Sequence, residues 1–181
     1  MHRLFVALRP PPPIRAALAA TMDGVAQARW QDDDQLHLTL RYIGEVDRRI
    51  AEDIAVALGH LHGSAIEVAL SGVGAFDKKG RTDALWAGVT PHHALAALHR
   101  KVDHALVRLG LEPEGRAYLP HVTLARLSRS AGFGSEIDLW LAAHAGLASA
   151  PFRLEYMTLF ESHLGGEGAR YEVVERYALM P

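Results

Sequence analysis

Two short segments of this chain share one pattern and fall at matching places of an internal repeat. They are His37-Leu38-Thr39-Leu40 and His121-Val122-Thr123-Leu124. Each half of the sequence reads as strand, proline-started helix, H-x-T-x strand, helix, strand. Pro10 precedes His37 by 27 positions and Pro91 precedes His121 by 30, so the halves keep nearly the same register. A repeat of this size buries its apolar faces against a second copy of itself. The expected fold is α+β: one domain over residues 1–181, built from two interleaved, pseudo-twofold lobes with repeats at roughly 1–80 and 81–181. Antiparallel sheets would face a central cleft, with helices outside, and the two H-x-T-x strands would meet across that cleft.

Local signals fill in the elements. Arg3 to Leu8 is strand-like, and Pro10 to Pro13 ends it and opens a helix whose Ile14, Leu18, Met22 and Val25 share a face. Leu36 to Ile43 is a strand, and Asp47 caps a helix carrying Ile50, Ile54, Leu58 and Leu61. Ile66, Val68 and Leu70 alternate as in a half-buried strand. In the second half, Asp83 to Val89 is a strand, and Thr90-Pro91 is read as a cap and first helical position. The helix bears Leu95, Leu98, Val102, Leu106 and Leu109 and stops at Gly110. Tyr118 to Leu127 follows as a strand. Ser135 and Asp138 resemble a capping box for a helix with Ile137, Leu141 and His144 on one side. Phe152 to Phe160 and Tyr171 to Met180 are further strands, joined through Gly165 to Gly168.

In a strand, alternate side chains share a face. His37 and Thr39 therefore point one way and Leu38 and Leu40 the other, and the same holds for His121 and Thr123 against Val122 and Leu124. A lone strand histidine is ordinarily structural. With 11 histidines, six threonines and 49% apolar residues, however, roughly 0.1 copy of H-[apolar]-T-[apolar] is expected by chance. Two strict copies in equivalent places outweigh the structural explanation.

Composition narrows the chemistry. The formal net charge is −2, from 16 arginines and only three lysines (Lys78, Lys79, Lys101) against 21 acidic residues. A protein tracking a long phosphate backbone carries a basic excess, so contact with a nucleic acid would involve a few nucleotides at an end. There is no phosphate-binding G-x-x-x-x-G-K-[ST] loop and no lysine set as in adenylating ligases. The absence of cysteine removes disulfides, thiolate metal sites and a cysteine nucleophile. It is compatible with a cytoplasmic location. No apolar run is long enough to span a membrane, and Met1-His2-Arg3-Leu4 opens directly into strand-like sequence, so no signal peptide is expected.

Two imidazoles suit displacement at phosphorus. One neutral and one protonated ring can serve as base and acid at the same pH. Neighbouring threonine hydroxyls can donate to non-bridging oxygens, where positioning and electrostatics provide most of the catalysis. Nothing in this scheme calls for a metal or cofactor.

These segments resemble the two-histidine phosphoesterases, and within them the RNA 2′,3′-cyclic phosphodiesterases, historically called 2′-5′ RNA ligases. The likeness runs through Arg3-Leu4-Phe5-Val6-Ala7-Leu8, His37 to Glu45, Phe76 to Gly80, Leu85 to Val89, His121 to Arg126 and Leu159-Phe160-Glu161-Ser162 with Gly168 and Tyr171. Asp77 stands where the family commonly has proline. The resemblance implies opening of a 2′,3′-cyclic phosphate at an RNA end to a 2′-phosphomonoester without metal or ATP, with reversible 2′-5′ joining as a side activity. By the same analogy His37 is the proton donor and His121 the acceptor. The partner is an RNA end or short oligonucleotide, and a monomer is expected.

Three further residues are candidates for substrate contact. The resemblance suggests a phosphate contact for Arg126, although strand parity sets it opposite His121 unless a bulge re-aims it. Arg41 has the parity of His37 and Thr39. Phe5 could stack on a base, or serve only as core. Among the other histidines, His60, His62, His92, His93, His99 and His104 lack metal-binding spacing. Two other functions compete: a cyclic phosphodiesterase acting on a free nucleotide or an ADP-ribose derivative, and a module that binds RNA ends without reacting.

Overall fold

A computed structural model describes residues 1–181. The first half of the chain forms β1 (His2–Leu8), α1 (Pro12–Ala19), β2 (Ala28–Trp30), β3 (Leu38–Val46), α2 (Arg48–Gly59) and β4 (Ile66–Lys78). The second forms β5 (Arg81–Thr90), α3 (His93–Arg108), β6 (His121–Leu127), α4 (Ser135–His144), β7 (Phe152–Leu154), β8 (Tyr156–Gly165) and β9 (Gly168–Ala178). All strand pairs are antiparallel, and the path through the sheet runs β7-β4-β5-β6-β3-β1-β8-β9, with β2 added to β6.

The two H-x-T-x strands are the central pair. They meet through a single register pair, Leu38 opposite Val122, so the sheet is two half-sheets joined at a narrow seam. The strand order is alike on the two sides of the seam. β1 lies beside β3 as β5 lies beside β6, and β8 flanks β1 as β4 flanks β5. β4, from the first half of the chain, thus lies in the half-sheet of β5 and β6, and β8, from the second half, in that of β1 and β3. For β4 the cause is local. Lys78 pairs with Arg81 across a two-residue turn. Lys79 and Gly80 both have positive φ, 53° and 78°, the backbone that matches strand twist in a tight hairpin. A strand leaving such a turn can only pair back on β4.

The core lies between the sheet and the helices. Leu38, Leu40, Val122 and Leu124 face it from the seam, against Ile54 and Leu58 of α2 and Leu95, Val102 and Leu106 of α3, each no more than 1% exposed. Asp47 caps α2 by accepting from the Ile50 amide at 2.9 Å, and Gly110 follows α3 at φ 93°.

Several expected boundaries moved. α1 ends at Ala19, short of Met22 and Val25. Thr90 is the last residue of β5, and α3 begins at His93 with no side-chain cap. Gly134, not Ser135, occupies the cap of α4, so the Ser135–Asp138 capping box does not form. The strand read from Phe152 to Phe160 breaks at Glu155, whose carbonyl accepts from the Leu179 amide instead of a ladder partner. The three-residue β2 gave no periodic signal. No helix is long and apolar enough to cross a membrane.

Candidate active site

His37 and His121 line one cleft of about 800 Å³, together with Thr39, Thr123, Tyr42, Arg126 and Tyr171. The two imidazoles are held by the same device. His37 Nδ1 donates to the Gln35 carbonyl at 2.7 Å, and His121 Nδ1 donates to the Leu119 carbonyl at 2.7 Å, in both cases two residues back. With the proton fixed on Nδ1, the neutral ring presents the Nε2 lone pair. Thr39 Oγ1 lies 3.0 Å from His37 Nε2 and donates to it. Gln35 is itself anchored, since its amide nitrogen donates to the Ala169 carbonyl at 2.6 Å and its amide oxygen accepts from the Asp32 N–H at 2.9 Å.

Aromatic walls surround both rings. Phe5 lies 4.9 Å from His37, and Tyr171 meets the same ring edge-on at 5.2 Å. Phe76 stands edge-on to His121 at 4.9 Å and Trp86 lies 6.0 Å away. Burial in these walls disfavours the charged imidazole. It pushes the His37 pKa down to about 4, with further lowering from Arg126, His121 and Arg9. His121 is lowered too, by burial first and then by Arg126. The influence of His121 on His37, and of Arg126 on both, accords with their common cleft.

A β-bulge follows each H-x-T-x segment. Val6 pairs with Arg41 and Ala7 with Thr39, leaving Leu40 without a partner. Leu85 pairs with Ala125 and Trp86 with Thr123, leaving Leu124 without one. An extra residue reverses the alternation beyond it. Residues 42 and 126 therefore share the cleft face with the histidines, and residues 41 and 125 turn to the core.

The arrangement has known counterparts. A sequence profile of the 2′-5′ RNA ligase superfamily matches residues 4–166. The chain belongs to this superfamily. An RNA 2′,3′-cyclic phosphodiesterase of Aeropyrum pernix is 33% identical over 115 residues, which span 61% of this chain and 65% of that protein, leaving about a third of the relative uncovered. One from Methanocaldococcus jannaschii is 24% identical over 180 residues, covering 97% of this chain and 99% of the relative. The crystal structure of Escherichia coli LigT complexed with 3′-AMP superposes with a TM-score of 0.79 at 24% identity, covering 99% of each chain. That likeness shows the α+β fold.

In this superfamily member the two arginine candidates exchange places relative to simple strand parity. Arg126 reaches the cleft because the bulge at Leu124 re-aims it. Arg41 does not. It is 7% exposed, and its guanidinium donates to Asp103 Oδ1 at 2.7 Å and to the carbonyls of Tyr42 and Glu112. The same Asp103 oxygen accepts the Glu114 amide at 3.0 Å. Arg41 thus ties β3 to α3 and the segment after it, and its expected role at the substrate is withdrawn. Phe5 lies between the two readings made of it. It lines the cleft but is only 4% exposed, with Phe160 stacked on its ring at 5.2 Å and Tyr171 edge-on at 4.9 Å, so most of it backs His37.

Sequence reasoning missed Tyr42, the cleft residue that the bulge exposes (51%). It also missed the support of the bulge. Tyr118 Oη donates to the Thr39 carbonyl at 3.1 Å, and His99 Nδ1 donates to the Leu40 carbonyl at 2.7 Å. The two rings stack at 4.3 Å, within 1° of parallel. Spacing alone leaves His99 among the scattered histidines.

Proposed function

We propose that this protein opens 2′,3′-cyclic phosphates at RNA ends to 2′-phosphomonoesters by acid–base catalysis, without metal or ATP, and that a 5′-hydroxyl can attack in place of water, breaking the same P–O3′ bond and reversibly joining the two ends through a 2′-5′ bond. The observation that carries the reading is the pair of imidazoles on one cleft, each with Nδ1 pinned to a backbone carbonyl so that Nε2 is the ring's remaining acceptor, met on His37 by the Thr39 hydroxyl. The naming of the Aeropyrum and Methanocaldococcus relatives supports the same substrate.

In this mechanism water attacks phosphorus while His121 Nε2 takes its proton. The P–O3′ bond breaks, and His37 Nε2, protonated in the complex, passes its proton to O3′. Thr39, Thr123 and Arg126 donate to the non-bridging oxygens, where charge is held during transfer. His37 is neutral in the free protein at neutral pH, because burial holds it near 4. A phosphate anion beside the ring offsets that desolvation, so the proton becomes stable there when substrate binds.

The test is product mapping. An oligonucleotide ending in a 2′,3′-cyclic phosphate is incubated with EDTA and without ATP. The expected product is the 2′-phosphomonoester; an unchanged cyclic end, or a 3′-phosphate, would overturn the reading. Rates on free cyclic mononucleotides and on an ADP-ribose cyclic phosphate measure how far the RNA chain matters.

A further inference from the structure

A second recess, of about 590 Å³, lies behind the wall that carries His37. Tyr171 borders both it and the cleft. Phe160 also lines the recess and lies 6.4 Å from the His37 ring. The two spaces are therefore separated by a single layer of aromatic side chains, with Tyr171 as the ridge between them.

The recess collects four of the sixteen arginines, Arg9, Arg15, Arg153 and Arg176, against two carboxylates, Asp34 and Glu155. Their donors are only partly used. Arg9 spends one terminal nitrogen on Asp33 and Asp34, while its Nε is buried without a partner. Arg15 bonds Asp33 at 2.9 Å and the Pro10 carbonyl at 2.7 Å. Arg153 lies 3.6 Å from Glu155, and Arg176 stands over the Tyr156 ring at 4.2 Å, with no carboxylate partner of its own. A buried guanidinium nitrogen left unsatisfied is costly, and guanidinium forks fit phosphate oxygens. Cations interleaved with Tyr156 and Tyr171 are the pattern by which single-stranded nucleic acids are held, phosphates on arginine and bases on rings.

We infer that this recess binds the phosphodiester backbone of the RNA strand 5′ to the reacting end. The inference rests on reading the cleft as the site of the cyclic phosphate. The terminal nucleotide occupies the cleft, and the strand crosses Tyr171 so that the preceding phosphates fall among Arg9, Arg153 and Arg176. An overall charge of −2 is compatible with this, because the cations are concentrated where a few phosphates pass.

The experiment uses fluorescence anisotropy with product-ended ligands, which do not turn over: a labelled mononucleotide and a tetranucleotide, each carrying a 2′-phosphate. The wild-type protein is expected to prefer the tetranucleotide. In Arg153→Glu/Arg176→Glu that preference falls about tenfold, and the slope of log affinity against log salt drops by about 0.7 for each phosphate no longer paired with an arginine. Arg153→Gln/Arg176→Gln gives a smaller fall, and thermal melting verifies that both variants are folded. Equal affinity of the wild type for the two ligands, or an unchanged preference in the charge-reversed variant, overturns the recess. Failure to open any cyclic phosphate would instead overturn the reading of the cleft, and the length preference is measured independently of it.

Discussion

At Leu40 and at Leu124 the chain makes the same bulge, yet the carbonyl at each is taken by a different kind of donor. The Leu124 carbonyl accepts from the Gln31 backbone N–H at 2.8 Å, because β2 runs along β6 and covers its edge. The Leu40 carbonyl accepts from the His99 side chain, and its neighbour at Thr39 from Tyr118. A bulge interrupts the ladder, and a buried carbonyl without a partner is expensive. One half-site meets this with a third strand, the other with two stacked rings reaching from α3 and the segment before β6. The walls differ as well. Trp86 and Ala7 hold equivalent places opposite Thr123 and Thr39, so the large ring beside His121 needs Gly74 across the ladder, where the other half has Thr158. What is common to the halves is the backbone that aims the imidazoles. Its supports are interchangeable.

The comparison can be broken most directly at the histidines. If the halves divide acid and base between them, His37→Ala and His121→Ala each lower kcat on a cyclic-ended oligonucleotide by about 10²- to 10⁴-fold. The double variant then falls little further, since the two act as a unit. A near-normal rate in either single variant would end the pairing.

The supports give smaller, stability-level effects. A Cβ at Gly74 would sit 2.2 Å from the Trp86 ring, so Gly74→Ala should cost about 1–3 kcal/mol in thermal or denaturant unfolding, and displaced Trp86 should slow turnover through His121. His99→Ala leaves the Leu40 carbonyl bare and should cost about 1–2 kcal/mol. Gln31→Pro removes the equivalent donor and should cost a similar amount. A large difference between the last two would show that one bulge is held by more than its carbonyl partner.

At the cleft face, Arg126→Ala is expected to raise KM about tenfold by removing a charge-assisted bond to phosphate. It should also move the kcat/KM profile to higher pH, because Arg126 lowers both histidines. Tyr42→Ala, at the equivalent place of the other half, should leave the profile unmoved. The smallest effect is on stability. A histidine held near 4 stays neutral in the folded protein while the unfolded chain takes up a proton below about 6.5. Stability from His37 is therefore complete above that value and is lost as pH falls towards about 4, by on the order of 1 kcal/mol once screening by water in the cleft is allowed for. His37→Asn should flatten this slope more than His121→Asn does.

The α+β fold and the placing of the four H-x-T-x side chains on one cleft are legible in the sequence because strand parity and helical spacing are written in residue types. The bulges are not. Leu40 and Leu124 are apolar residues in an apolar alternation, and nothing in their identity marks an extra position. Parity therefore favours Arg41 and disfavours Arg126, the reverse of what the backbone does, and only a bulge brings Arg126 round. The exchange of β4 and β8 between half-sheets is hidden differently. Lys79-Gly80 joins the two halves of the chain, and it is also a two-residue hairpin turn that pairs β5 back on β4. His99 and Tyr118 are invisible because their role is to satisfy carbonyls that exist only once the bulge has formed.

The seam at Leu38 and Val122 has a mechanical meaning. Two sheets welded along many residues would fix their mutual angle, whereas a joint one residue pair wide leaves that angle to the helices and loops packed behind it. Each imidazole is rigid with respect to its own half-sheet, so the gap between the two Nε2 atoms is a measure of how far the halves lean on one another. A substitution behind α3, remote from any phosphate, can then alter the reaction by changing that lean while every group in the cleft keeps its local bonds.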